Sequence, residues 1–188
     1  MAIKLNVIVC STRPGRIGLP VARWFESAVK KDSRFEPVFV DLAEVNLPMY
    51  DEPRHPAMQQ YEHAHTKAWS QIVKSADAYA FVMPEYNYFP SASLINALTY
   101  VFKEWNYKAA GLVSYGGVSG GLRAAQAVKL MLTAMKVMPL PEGVPIPFAA
   151  KQIENGVFKS NELIDASVKT MLDELAKWTG ALAPLQGK

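Results

Sequence analysis

Residues 84–87, with the sequence Pro-Glu-Tyr-Asn, carry side chains well suited to hold a flat ligand. They follow an apolar run at 78–83 and precede a helical pattern. The face of Tyr86 can stack on a ring, and the amide of Asn87 can donate and accept hydrogen bonds at once. Because open α/β sheets bind ligands at the carboxyl ends of their strands, this turn predicts contact with a heterocycle. A turn that only caps the core would leave Glu85 and Asn87 without a role.

Residues 10–18 join another apolar run to a second helical pattern and predict a phosphate site. Free N–H groups and the dipole at a helix N-terminus favour an anion. The hydroxyls of Ser11 and Thr12 add donors, and the side chains of Arg13 and Arg16 add charge. The spacing matches neither a P-loop nor G-x-G-x-x-G, which favours the monophosphate of a mononucleotide. The alternative is a polar turn with solvated arginines.

Residues 114–121 contain four glycines within six residues. Such a run suits a backbone that lies against a flat ligand, or a tight turn with no ligand. The segment also matches G-x-S-x-G around Ser119, the nucleophile elbow of Ser hydrolases. That fold needs a His after the Ser in chain order, whereas the histidines here, His55, His63 and His65, all precede it. A Ser hydrolase is therefore the remote alternative.

Alternating strand and helix patterns must position these three segments. Apolar runs predict strands at 3–9, 37–42, 78–83 and 109–115, with a short fifth strand within 137–148. Helical spacing predicts helices at 18–31, 58–75, 91–103, 121–136 and 161–179. The alternation predicts α/β architecture, a five-stranded parallel sheet in the order 2-1-3-4-5 of a flavodoxin-like three-layer sandwich. In that order the three segments meet in one crevice.

The composition predicts one globular domain over residues 1–188. The net charge of +3 comes without a basic block, so we expect no nucleic-acid partner. The single Cys10 fits a reducing compartment. We find no signal sequence and no run of about 18 apolar residues, so we expect a cytoplasmic protein with no membrane partner. Neither a second Cys nor a clear carboxylate cluster completes a set of metal ligands with the histidines, so we expect no metal site.

The helical patterns at 91–103 and 121–136 are apolar on nearly all sides. A helix that is apolar all round is buried on both sides. In a three-layer domain the sheet covers one side only, so we expect a second subunit to cover the other. A fully internal helix is the alternative.

The three segments together resemble the NADPH-dependent FMN reductase family of flavodoxin-like proteins, which includes azoreductases, chromate reductases and quinone reductases. The shared motifs are Ser-x-Arg at 11–13, Pro-Glu-Tyr-Asn at 84–87, and the glycine-rich run from 114 with Arg-Ala at 123–124. The resemblance covers nearly the whole chain. It implies FMN contacts at Ser11, Arg13, Arg16, Ile17, Gly18, Pro84, Glu85, Tyr86, Asn87, Ser114, Tyr115, Gly116 and Gly117.

Two positions depart from the family pattern. Many members have Gly where Cys10 stands and Ser where Arg16 stands. Arg16 therefore either replaces a hydroxyl donor with a charge or turns away from the phosphate.

The resemblance further implies an FMN-dependent NAD(P)H oxidoreductase. NADPH or NADH would pass a hydride to the flavin, and a quinone, azo compound, metal oxyanion or similar acceptor would then take the electrons. No side chain is needed as an acid or base, so we name no catalytic residue. A flavin-binding electron carrier or a supplier of reduced FMN is the alternative. Family members are commonly dimers or tetramers, which implies a homodimer or homotetramer in which residues 47–55 close over a neighbour's flavin.

Overall fold

A computed structural model describes residues 2–186 and shows a parallel five-stranded sheet between two layers of helices. The strand order is β2-β1-β3-β4-β5, which confirms the predicted flavodoxin-like sheet. The strands are β1 (Ile3–Val9), β2 (Phe35–Asp41), β3 (Ala78–Pro84), β4 (Ala109–Tyr115) and β5 (Met138–Ile146), followed by a separate hairpin of β6 (Ile153–Glu154) and β7 (Val157–Phe158). The helices are α1 (Gly18–Val29), the short α2 (Leu42–Val45), α3 (Ala64–Ser75), α4 (Ala92–Tyr100), α5 (Leu122–Ala134) and α6 (Glu162–Leu182).

Several element boundaries differ from the sequence prediction. Helix α3 begins at Ala64 rather than at 58, because Pro56–Met58 forms a 3₁₀ turn that ends at Gln59 in the left-handed region. Helix α4 ends at Tyr100 rather than at 103, since Val101 is extended. The fifth strand is longer than predicted, and the β6–β7 hairpin was not foreseen. None of these differences changes the order of the sheet.

Alternate side chains of the strands pack against the two helical layers. On one face, the buried core includes Phe25 of α1 and Met171 of α6. On the other face, it includes Trp69 of α3, Leu98 of α4 and Val128 of α5. Burial of these apolar side chains is the main force that holds the sheet together. It therefore also fixes the ends of the strands from which the three segments project.

The outer sides of α4 and α5 keep apolar side chains in contact with solvent. Ile95, Leu122 and Leu130 are all exposed. The sheet therefore covers one side of these helices, and the occupant of the other side stays a prediction. Among residues 2–186, we find no helix with the length and hydropathy needed to cross a bilayer.

Residues 47–55 lie on helix α4 of their own chain. The side-chain amide of Asn96 accepts from the N–H of Tyr50 at 3.0 Å and donates to the carbonyl of Pro48 at 2.7 Å. The Tyr100 hydroxyl donates to the same carbonyl at 2.9 Å, and the rings of Tyr50 and Tyr100 meet edge-on. One amide thus holds this segment through both a donor and an acceptor. Contact of the segment with a neighbour's flavin stays a prediction.

We expect Asn96→Ala to loosen residues 47–55 without unfolding the chain. The change removes two hydrogen bonds to backbone, which costs about 1–3 kcal/mol of unfolding free energy. Hydrogen exchange followed by mass spectrometry should show faster exchange in this segment. Thr99→Ala is the matched control, because the Thr99 hydroxyl donates to Ile95 in its own helix. Equal exchange rates in the two variants would contradict the anchoring role of Asn96.

Candidate functional site

The three segments singled out in the sequence meet in one cleft at the carboxyl edge of the sheet. The cleft has a volume of about 380 Å³. Its lining consists of Arg13, Arg16, Ile17, Pro84, Glu85, Tyr86, Tyr115, Gly116, Gly117, Phe148, Ala150 and Lys151. The lining omits the predicted contacts Ser11, Gly18, Asn87 and Ser114. A larger groove of about 610 Å³ lies between α1 and α6 and receives none of the three segments.

Arg16, which we predict as a phosphate contact, is held by the protein itself. Its guanidinium donates to both carboxylate oxygens of Asp41, at 2.6 and 2.5 Å, and to the Ser11 carbonyl. The Arg16 and Asp41 side chains are 15% and 2% exposed, so the ion pair is largely buried. Asp41 at the end of β2 thus already binds the guanidinium of Arg16, and a phosphate contact of Arg16 stays a prediction.

The first segment offers a ligand its backbone and the side chain of Arg13. Thr12, Arg13 and Gly15 are exposed, and their N–H groups have no acceptor among the described residues. The loop is turned by a hydrogen bond from the N–H of Arg16 to the carbonyl of Arg13. Helix α1 follows directly, with Ile17 at its N-cap and no side-chain acceptor. Unpaired N–H groups, a free helix N-terminus and an exposed guanidinium together suit an anion.

Ser11 and Gly18 serve the packing of Tyr115. Ser11 is fully buried, and the Tyr115 hydroxyl donates to its Oγ at 3.1 Å. A Cβ added at Gly18 would collide with both of these oxygen atoms, so glycine is needed for the close approach. Burial raises the pKa of the Tyr115 phenol, so the hydroxyl remains protonated as a donor. Protein atoms thus enclose both Ser11 and Gly18, and their predicted ligand contacts stay predictions.

The second segment forms a two-residue hairpin turn after the end of β3. Tyr86 and Phe89 exchange two backbone hydrogen bonds of 2.9 Å. Asn87 and Tyr88 occupy the turn with φ of 50° and 71°, and two central residues with positive φ are typical of a type I′ turn. The hairpin brings Tyr86 into the cleft lining but holds Asn87 at the exposed tip. Asn87 therefore does not line this cleft, and its predicted contact with the ligand stays a prediction.

Glu85 binds the start of helix α5 with its carboxylate. It accepts from the Ser119 hydroxyl and from the backbone N–H and guanidinium of Arg123, each at 3.0 Å. Helix α5 has Gly121 at its N-cap and no side-chain cap of its own, so Glu85 supplies the missing negative charge. Burial raises the pKa of Glu85, but hydrogen bonds from Arg123 and Ser119 outweigh burial, and the pKa is lowered. The carboxylate thus joins the second segment to the third, and the predicted contact of Glu85 with a ring stays a prediction.

The glycines of the third segment mainly allow the chain to approach itself. Gly120 and Gly121 have φ of 60° and 82°, and a Cβ at Gly121 would lie 2.7 Å from the Tyr115 nitrogen. The buried Ser114 hydroxyl donates to the Gly120 carbonyl at 2.9 Å. Gly117 differs, because it is exposed and has open space where a Cβ would stand. In this segment Gly117, which lines the cleft together with Gly116, thus has room for a flat ligand, and the predicted ligand contact of Ser114 stays a prediction.

The described contacts of Ser119 and of the histidines are with other residues. The Ser119 hydroxyl donates to the carboxylate of Glu85. His63 Nε2 lies 3.5 Å from an oxygen of Asp51, and His65 Nε2 lies 3.3 Å from the Tyr100 hydroxyl. This arrangement gives no support to the Ser hydrolase alternative. Within residues 2–186, no three His, Cys, Asp or Glu side chains are grouped so that they could hold a metal.

Residues 148–151, which the sequence analysis did not select, form one side of the cleft. The N–H of Phe148 donates to the Gly117 carbonyl at 3.0 Å. The Phe148 ring is about half exposed, and Lys151 Nζ lies 5.2 Å from its centre. The sequence could have indicated these residues, because they follow the fifth strand and all strands of a parallel sheet end at the same edge. The fifth strand was predicted too short, so the residues after it were not linked to that edge.

Known proteins resemble this chain along most of its length. A family model described as NADPH-dependent FMN reductase matches residues 3–151. An NAD(P)H-dependent FMN reductase of a Nectria species is 36% identical over 155 residues, which cover 78% of this chain and 76% of the relative. Another, from Schizosaccharomyces pombe, is 37% identical over 147 residues, which cover 77% and 74%. The flavoenzyme FerB, an NAD(P)H:(acceptor) oxidoreductase from Paracoccus denitrificans, shares the fold with a TM-score of 0.74 at 18% identity, covering 96% of this chain and 98% of that one.

We expect Glu85→Gln to destabilise the chain in a pH-dependent way. The pKa of Glu85 is lowered in the folded chain. Its contribution is therefore complete above the unfolded-state pKa of about 4.3 and is lost as the pH falls through the folded-state pKa. Because Gln carries no charge, we expect a loss of about 1–2 kcal/mol at pH 7. Urea unfolding at pH 7 and at about pH 3.5 should show this loss shrinking on acidification.

Glu162→Gln is the matched control for this substitution. Glu162 is exposed in the first turn of helix α6. Its replacement should change the free energy of unfolding by less than about 0.5 kcal/mol at pH 7. A loss in Glu85→Gln that is equal at both pH values would contradict a stabilising role for the Glu85 charge.

Proposed function

Because the chain belongs to the NADPH-dependent FMN reductase family, we propose that its cleft binds FMN and that the flavin-bound protein oxidises NAD(P)H. The observation that carries the site is the unpaired first loop at the start of α1. Side chains of Ser91, Glu85 and Asn161 accept from N–H groups in the first turns of α4, α5 and α6. Among the described residues, α1 and α3 have no such side-chain acceptor, and of these two α1 is the helix whose N-cap, Ile17, lines the cleft. A bound phosphate would supply negative charge at this helix end.

The residues present fit FMN at both of its ends. At one end, the unpaired N–H groups of the first loop and the exposed Arg13 match a dianionic phosphate. At the other end, Tyr86 offers an aromatic face, and Gly117 leaves the backbone open to a flat ring. The cavity of about 380 Å³ has the size of an ordinary ligand site and is partly open to solvent. That opening would leave part of a bound ring accessible to substrates.

Bound FMN would supply the redox chemistry, as acceptor of a hydride from NAD(P)H and donor of electrons to a second substrate. The residues of this chain would bind and orient it. Arg13 and the N–H groups of the first loop would hold the phosphate, and Pro84 and Tyr86 would flank the ring. The N–H of Gly117 would donate at the polar edge of the ring. Glu85 would act indirectly, because it holds the second and third segments together.

The second substrate that we propose is a flat or strongly oxidising molecule, such as a quinone, an azo compound or a metal oxyanion. Exposed rings of Tyr86 and Phe148 border the cleft and suit a flat molecule. Arg13 and Lys151 border it too and suit an anion. The same two cations favour the phosphates of NADPH and of NADH without selecting between them.

The visible absorption spectrum of the purified protein, followed by NADPH addition without oxygen, tests this function. We expect a flavin spectrum, or uptake of added FMN, and rapid loss of the yellow colour on addition of NADPH. Slow loss of colour would favour an electron carrier, and escape of FMN on gel filtration would favour a supplier of reduced FMN. A protein that neither holds nor takes up FMN would refute the proposal.

The assembly that we propose is a homodimer or homotetramer formed through the outer side of α4 and α5. Ile95 and Leu122 are exposed on these helices, and Leu130 is 77% exposed. Apolar side chains grouped on a surface favour association with a partner. In a second copy of the chain, the same helices would provide the matching surface.

Leu130→Asp should raise the monomer fraction measured by light scattering after gel filtration, because a charge in an apolar interface is costly. Leu163→Asp is the matched control. Leu163 is 78% exposed on α6, which packs on the opposite face of the sheet. A monomeric wild type, or equal effects of the two substitutions, would refute this interface.

A further inference from the structure

The first loop is fastened at both ends by the side chain of Arg16. Its guanidinium donates to the carbonyl of Ser11, where the loop begins, and to both carboxylate oxygens of Asp41 at the end of β2. It therefore closes the loop on itself and ties it to the neighbouring strand. Between these points, the backbone hydrogen bond described for residues 12–15 is the turn in which the carbonyl of Arg13 accepts from the N–H of Arg16. The shape of the loop thus depends on where the guanidinium is held.

Asp41 is itself held in a fixed orientation. Its Oδ1 also accepts from the N–H of Ala43 at 3.0 Å, where α2 begins. The carboxylate is almost completely buried, more so than the guanidinium that it binds. A bidentate pair fixes both the plane and the direction of a guanidinium. Asp41 therefore determines the position of Arg16, and Arg16 that of the loop.

We propose that Arg16 and Asp41 are positioning residues, which hold the first loop in the conformation whose N–H groups bind the phosphate of FMN, while Arg16 itself does not contact the phosphate. This inference rests on the proposed function, since it assumes that FMN binds in the cleft. A loop that is already held in its bound conformation loses less conformational entropy when the ligand arrives. Loss of either partner should therefore weaken binding of the phosphate group.

The sign of one substitution separates positioning from direct contact. Asp41 carries the same sign of charge as a phosphate. If charge alone mattered, neutralising Asp41 would remove a negative charge that repels the phosphate and would strengthen FMN binding. Release of Arg16 towards the ligand would strengthen it further. If Asp41 acts by holding Arg16, the same change weakens FMN binding. A general loss of stability would weaken binding of FMN and of riboflavin alike, whereas loss of the phosphate loop weakens FMN binding alone.

The experiment titrates flavin-free protein with FMN and with riboflavin and follows the quenching of flavin fluorescence. We expect FMN affinity to fall about tenfold in Asp41→Asn and in Arg16→Lys, with riboflavin affinity within about twofold of wild type. Arg16→Lys keeps the charge but cannot form the bidentate pair. Glu44→Gln is the charge control, because Glu44 is exposed near the start of α2. It should leave FMN affinity unchanged or slightly higher.

Tighter or unchanged FMN binding in Asp41→Asn would overturn the proposal. Full FMN affinity in Arg16→Lys would overturn it too, because charge at residue 16 would then suffice. Thermal unfolding shows whether each variant is folded, and Arg16→Lys decides the question if Asp41→Asn does not fold. Arg13→Ala gives the size of a direct phosphate contact for comparison. If the wild type binds no FMN, the proposed function is refuted. If the wild type binds FMN with the same affinity as the variants, only the positioning role of Arg16 and Asp41 is refuted.

Discussion

Helix N-termini gathered at one edge of a parallel sheet impose the main electrostatic constraint on this fold. Each helix that follows a strand brings unpaired N–H groups to that edge, and these groups need acceptors. Glu85 reaches across to α5, and the carboxylate of Glu52 accepts from N–H groups just before α3. The start of α1 receives no such group. The anion site that we propose is thus a helix end that lies at the cleft and that no side chain of the described residues fills.

The order of the sheet and the convergence of the three segments could be predicted from the sequence. Strand and helix periods alternate along the chain, and right-handed crossovers leave few ways to arrange them. The partner of each polar side chain could not be predicted. Arg16 meets Asp41 across 25 residues, and Tyr115 meets Ser11 across 104. Such pairs depend on how distant loops lie on one another, so polar residues that looked free for a ligand proved to bind the protein.

The glycine-rich segment at residues 114–121 shows that the contacts of the backbone are as hard to predict from the sequence as those of the polar side chains. Glycine permits close approach to a ligand and close approach to another part of the chain equally well. Gly121 allows the second, since its missing side chain leaves room for the backbone of Tyr115. Gly117 faces open space in the same segment. Neighbouring glycines therefore have different purposes, and only the three-dimensional arrangement of the surrounding atoms distinguishes them.

Helix α5 connects the cleft to the exposed apolar surface of the molecule. Glu85 binds its first turn, and Leu130 projects from the same helix about two turns further on. If association between subunits favours one position of α5, it also favours one position of residues 84–87, because Glu85 binds them to that helix. Because thermodynamic coupling is reciprocal, flavin would then change association by the same factor by which association changes flavin affinity. In such a molecule the apparent dissociation constant of the flavin varies with the concentration of the protein.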